Sequence, residues 1–199
     1  MAAVSETIVR EYFEQHEFLV RQHRKYIGQT RREEDDDIDF FVLNPHPLQR
    51  ETQLPFVLGS EELRFVSRAV VVVKGWHTET FSTARLAHSP EIFRFVEPKV
   101  FEQAARAFGK DGPPLKILVV PALPHDAGSR DEAIALLRSK GIDAVIPFRT
   151  MLANLIKETQ TNRNYQKSDL LQIIRILKNY DFLKEPQLEL FKARRKKKV

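Results

Sequence analysis

Three stretches of the chain are apolar without alternation: "AVVVV" at 69–73, "KILVV" at 116–120 and "AVIPF" at 144–148. A strand with one wet face alternates apolar and polar residues, whereas a strand covered on both faces does not. The segments between them, "SPEIFRFVEPKVFEQAARAFG" and "SRDEAIALLRSKG", carry apolar residues at helical spacing. Buried strands alternating with helices predict an α/β sandwich, because each helix covers a sheet face that water would otherwise meet.

The rest of the chain extends this reading. Ser5 is placed to cap a helix from about Glu6 to Ile27, with Ile8, Val9, Tyr12, Phe13, Leu19 and Val20 on its stripe. His16 and His23 fall in that stripe and read as core histidines; two turns apart, they are badly spaced for a shared metal. "GQTRREEDDD" is a charged connector, and "IDFFVLNP" is a short strand stopped by Asn44-Pro45. "LPFVLG" reads as another strand, and "LRFVSRAVVVVKGW" as one long strand or two joined at a kink. In the later helices Pro98 marks an interruption, and Ser129 reads as a cap with Gly141 as the stop. "RTMLANLIKETQT" and "KSDLLQIIRILKNYDFL" close the chain as helices. The early strands should form an antiparallel meander and the later ones should enter by helical crossovers.

At 199 residues, with 42% apolar and 30% charged residues, the chain has the balance of a globular protein. No apolar run is long enough to span a bilayer. "MAAVSETIVREYF" lacks the pattern of a secretory leader. Cysteine is absent, which excludes disulfides and thiolate metal sites. An intracellular protein, cytoplasmic or associated with nucleic acid, is the expectation, with no membrane partner. The net charge of +5 is concentrated: residues 187–199 hold six basic side chains and one acid, which accounts for the whole excess. Arg194, Arg195, Lys196, Lys197 and Lys198 can touch phosphates or form a localisation signal, and a solvated terminus is an equal reading.

Lys74 ends the most apolar strand, and two readings stand. Its ammonium can snorkel past the sheet. Alternatively, the strand delivers a cation to a site at its carboxyl end, where α/β sheets place ligands. Asp39, at the start of "DFFV", is the upstream acid that an adjacent strand would bring to the same end. Gly75 permits a sharp turn there, Trp76 can stack a base, and His77 can act as a general base. The bland alternative has Trp76 capping the core edge and His77 exposed.

With "SETIV", "DDDIDFFV" and "VVVVKGW" in this order, the chain resembles the PD-(D/E)xK nuclease superfamily, restriction endonucleases and Holliday-junction resolvase-like proteins among them. The resemblance covers roughly residues 5–150. It implies a restriction endonuclease-like mixed sheet flanked by helices, with 151–186 a helical extension and 187–199 a basic tail. It implies Mg²⁺-dependent hydrolysis of nucleic-acid phosphodiesters, with DNA the leading substrate. Asp39 would bind the metal, Glu6 would support it, and Lys74 would orient water and stabilise the transition state. Gln103 matches a helix glutamine kept by some members. Position 72 departs from the pattern: the acid of acid-x-Lys is here Val72, which cannot hold a metal. Glu79, Glu97 or Glu102 would have to replace it. The alternative implied is an inactive nuclease-fold module that binds nucleic acid or a protein.

Overall fold

The computed structural model describes residues 2–22, 38–109 and 112–183. The chain divides into two compact units, Met1–Leu155 and Ile156–Val199.

The first unit is built on a five-stranded mixed sheet. Helix α1 (Ala2–Gln15) leads into β1 (Leu19–Gln22), followed by β2 (Phe40–Leu43) and β3 (Arg68–Val73). After short α2 (Thr83–Ala87), a 3-10 turn over Pro90–Val96 and α3 (Pro98–Ala105), the chain enters β4 (Leu115–Val120). Helix α4 (Ala127–Ser139) crosses to β5 (Ala144–Pro147), and α5 (Phe148–Glu158) begins at the next residue. The strand order is β1-β2-β3-β4-β5. β1, β2 and β3 pair antiparallel, whereas β3, β4 and β5 run parallel. An antiparallel meander and helical crossovers are present in an α/β fold with flanking helices, but the first strand of the meander is Leu19–Gln22, expected as helix, and "LPFVLG" is not one of its strands.

Because strand side chains alternate, β2 to β5 each feed two cores, whereas the edge strand β1 is largely exposed. Phe41, Val70, Val72, Leu118, Val120 and Val145 join the cluster that includes Leu86, Ile92 and Phe95 from the β3–β4 crossover and Ala133 and Leu137 of α4. Phe40, Val42, Val71, Val119 and Ile146 are buried on the opposite face, and α1 packs against β1 and β3. Val71 and Val72 are 0% and 1% exposed. That double coverage is why "AVVVV" does not alternate.

Four local expectations are corrected. The first helix stops at Gln15 instead of running to Ile27. Glu17 adopts a left-handed conformation (φ 65°), and Leu19 and Val20 then pair with Leu43 and Val42. A pattern that fits a helix is taken by the sheet edge, so tertiary pairing overrides periodicity. Ser5 lies inside α1, not at its start, and its hydroxyl meets His77. "LPFVLG" forms only a bridge, Val57 to Val145, along the outer side of β5, and "EELRF" is a 3-10 turn. Asp126, not Ser129, caps α4: its carboxylate accepts from the Ser129 N–H at 2.9 Å. That hydrogen bond and its local partners hold the Asp126 carboxyl below the usual range. His23 lies outside the described residues; His16 bonds Asn154 at 3.1 Å and stacks edge-on against Tyr12.

The second unit contains the end of α5 and helix α6 (Asp169–Asn179). Ser168 caps α6, its hydroxyl accepting from the Leu171 N–H at 3.2 Å. Lys178 donates to the carbonyls of Ile156 and Thr159 at 3.1 and 2.9 Å, which ties α6 to the end of α5. Among the described residues no helix is long and apolar enough to cross a membrane.

Candidate strand-end site

The register brings four polar residues to one edge of the sheet. Phe40 opens β2 and pairs with Gln22, the last residue of β1, on one side. On its other side it pairs with Val71. Asp39, just before Phe40, and Lys74, just after Val73, therefore lie at the same edge. Glu6 of α1 joins them through Gln22, whose side-chain amide donates to the Glu6 carboxylate at 2.6 Å.

Backbone hydrogen bonds fix Lys74 there. The ladder to β2 ends where the Asp39 N–H donates to the Val71 carbonyl at 3.1 Å. The next donor of β3, the Val73 N–H, finds no carbonyl and is taken by the Asp39 carboxylate at 2.6 Å. The Lys74 N–H points the other way, to the Val119 carbonyl at 3.1 Å. Lys74 is thus the last residue held by the parallel ladder, and its side chain is half-buried. A strand that apolar ends on a lysine because the sheet ends there.

The turn after Lys74 is clamped by α1. The Ser5 hydroxyl and His77 Nε2 are hydrogen-bonded at 3.0 Å. The His77 ring meets Phe148, the first residue of α5, edge-on at 4.6 Å between centroids. Ser5 is 1% exposed. A Cβ built on Gly75 would collide with the Ser5 hydroxyl, so the glycine is required by close approach, not by a left-handed backbone. Sequence reasoning gave Ser5 a cap role and missed this contact. Nothing in the pattern of α1 signals it; the only hint is a glycine at a strand end.

Trp76 is half-buried. Its ring carries the Arg85 guanidinium at 4.8 Å and meets Phe81 edge-on at 5.7 Å. The reading of Trp76 as a core-edge cap fits these contacts better than a stacking platform. Glu79 faces Arg85 at 3.5 Å. Glu97 and Glu102 are exposed on either side of the start of α3. Gln103 is exposed on the same helix. Its neighbour Phe101 lies under the Lys116 ammonium, 4.7 Å away, at the opposite end of β4 from Val119. The structure therefore gathers Glu6, Asp39, Lys74 and His77 at one edge and leaves Gln103 remote. Arg194, Arg195, Lys196, Lys197 and Lys198 lie outside the described residues.

A Mg²⁺ ion wants oxygen ligands, with one or two carboxylates anchoring it. Among the described residues no three His, Asp or Glu side chains converge on a point. Val72, at the position where the family pattern has an acid, is enclosed by the apolar core. One Asp39 oxygen is committed to a backbone N–H, and one Glu6 oxygen to Gln22. These residues do not fit a resident Mg²⁺ site. Comparison of the chain with protein-family models, curated proteins and solved structures finds no match.

Proposed function

We propose that the first unit is a nuclease-like module that binds a phosphodiester backbone without cutting it. The single observation that carries this reading is the use of Asp39: its carboxylate accepts from the Val73 N–H and closes the sheet ladder there. The topology supports the kinship. A helix, a three-strand meander, a helical crossover and a further parallel strand follow one another as the resemblance implies. The start of β2 adjoins the end of β3, which is where that family keeps its acid and lysine. With Val72 in the core, the lysine remains, and among the described residues no cluster of three His, Asp or Glu side chains stands ready for a metal.

Binding then rests on charge. Lys74 offers an ammonium at the sheet edge, and an ammonium serves as a point charge for phosphate. Trp76 contributes to the fold and not to the ligand, since its ring is occupied by Arg85 and Phe81. The experiment is a paired assay on labelled duplex DNA. Binding in the presence of a chelator, weakened by Lys74→Ala, with no cleavage in Mg²⁺, is expected. Robust Mg²⁺-dependent cleavage abolished by Asp39→Ala would overturn the reading in favour of an active nuclease whose missing acid is supplied elsewhere. Binding that survives Lys74→Ala unchanged would remove the strand end from the interface.

A further inference from the structure

Two cations stand at the carboxyl end of β3 with donors to spare. Strand side chains alternate, so Lys74 follows Val70 and Val72 to the face that carries Trp76, Phe81 and Leu86. Among the described residues its ammonium makes no hydrogen bond and no ion pair. Arg85 reaches the same end from α2. The Phe81 N–H bonds the Ala122 carbonyl at 2.9 Å, which draws the chain before α2 to the end of β4. Arg85 then lays its guanidinium 4.8 Å over the Trp76 ring, two residues beyond Lys74. Two extended residues span about 7 Å, within the reach of both long side chains.

Arg85 is oriented before any ligand arrives. Its backbone N–H is held by the Ser82 hydroxyl at 3.3 Å. The Glu79 carboxylate stands 3.5 Å from its Nε. That Nε is enclosed and donates no hydrogen bond, yet the side chain as a whole is 38% exposed. Among the described residues the two outer nitrogens have no hydrogen-bond acceptor either. An arginine that serves the fold alone spends such donors on carbonyls, as Arg130 does on those of Pro124 and His125. Arg85 is stacked and ion-paired, and its fork is unspent.

We propose that Arg85 is the second phosphate contact of the strand-end site, its fork and the Lys74 ammonium closing on one phosphodiester group. The inference rests on the binding reading above and supplies a residue which that reading lacks. A guanidinium matches two phosphate oxygens with two N–H groups, and an ammonium adds a point charge. The stack on Trp76 limits the rotamer freedom that Arg85 would otherwise lose on binding. Asp39 and Glu79 offset the two cations, so this end has no broad positive field. The phosphate is therefore held by hydrogen bonds at contact, and the shape of the fork matters as much as its charge.

The test uses the full chain and labelled duplex DNA in the presence of a chelator. Arg85→Ala is expected to weaken binding about tenfold. Arg85→Lys keeps the charge but loses the fork and the flat stack, so it should recover little of that loss. Because both groups hold one phosphate, Lys74→Ala/Arg85→Ala should lose less than the product of the two single losses. Thermal melts check that each variant is folded, and Arg85→Lys carries the test if alanine unseats Trp76. Binding weakened by Lys74→Ala but unchanged in both Arg85 variants would overturn the inference and leave the binding reading standing, with Arg85 a structural partner of Trp76. Full recovery in Arg85→Lys would overturn the role of the fork. A wild-type protein that ignores DNA would overturn the binding reading instead. Melts in about 10 mM inorganic phosphate at matched ionic strength then decide the pair by itself. Stabilisation by phosphate that Arg85→Lys removes would support the clamp with a free phosphate as its ligand, and no stabilisation would overturn it.

Discussion

The Asp39 carboxylate accepts a hydrogen bond from the Val73 N–H at 2.6 Å and so completes the sheet where the β2 ladder runs out of carbonyls. An acid at that point has structural work of its own. A buried or half-buried strand-end N–H without an acceptor is costly, and Asp39 supplies the acceptor from just outside β2. The residue that most resembles a metal ligand is also a cap on the neighbouring strand.

Two substitutions separate these roles. Asp39→Asn keeps an acceptor oxygen and loses the charge, whereas Asp39→Ala loses both. Asp39→Ala is expected to cost about 1–3 kcal/mol, the range for a charge-assisted hydrogen bond whose donor is left unpaired. Asp39→Asn should cost clearly less. Urea unfolding of the two variants measures the difference. Equal losses would show that charge, not the bond to Val73, is what position 39 contributes to stability.

Mg²⁺ should leave the protein unchanged. A ligand held by the folded state alone raises stability with its concentration. With no converging set of acids among the described residues, adding about 10 mM Mg²⁺ should not shift the melting temperature beyond its ionic-strength effect. Val72→Glu is not a simple repair. Position 72 is 1% exposed among Val70, Leu118 and Val120, so a glutamate there buries a carboxylate at a cost of about 3–5 kcal/mol. Thermal melts of both proteins with and without Mg²⁺ test this. A stable Val72→Glu protein with a Mg²⁺-dependent rise in melting temperature would place that side chain at an open site.

The sheet was readable because burial on both faces leaves a mark in sequence. "AVVVV" and "KILVV" make up all but the first residue of β3 and β4, "AVIPF" contains β5, and Pro98 separates a 3-10 turn from α3. The edge was less readable. Leu19 and Val20 fit the helical stripe of α1 equally well, and only their pairing with β2 makes them a strand. Asp39 and Lys74 were visible as polar residues closing apolar runs, but the bond from Asp39 to Val73 depends on register, which composition does not encode. Ser5 was invisible as a clamp, because its partner His77 is 72 residues away in the chain.

Alkaline titration should report the α1 face of the core. Tyr12 is fully buried and hydrogen-bonded to Ser60 at 2.9 Å. Burial pushes its phenol up to about 12 from an ordinary value of 10.0. The unfolded chain therefore releases the proton first. The stabilising contribution is complete below pH 10 and is lost as pH rises from there through about 12. Two pH units correspond to about 2–3 kcal/mol. Tyr12→Phe should lower stability at neutral pH by about 1 kcal/mol, through the lost hydrogen bond. It should also flatten the alkaline limb of a stability–pH profile. An identical alkaline limb in Tyr12→Phe would assign the loss to other groups.

The clamp between Ser5 and the Lys74–His77 turn is testable by a double-mutant cycle. Gly75 has no room for a side chain, because an added methyl would run into the Ser5 hydroxyl and lie 3.0 Å from the Ser5 Cβ. Gly75→Ala must therefore push α1 away or bend the strand end, at a cost of about 1–3 kcal/mol. Ser5→Ala removes the hydroxyl and its bond to His77, at a cost of about 1 kcal/mol. If the two residues act through the same contact, the double variant should lose less than the sum of the single losses, since the methyl then enters space the hydroxyl has left. Ser5→Gly, which also removes the remaining Cβ, should relieve the clash further but weaken α1 by its helix propensity. Urea unfolding of the four proteins in the Ser5→Ala cycle gives the coupling. Strict additivity would show that Gly75 is required for some reason other than the approach of α1.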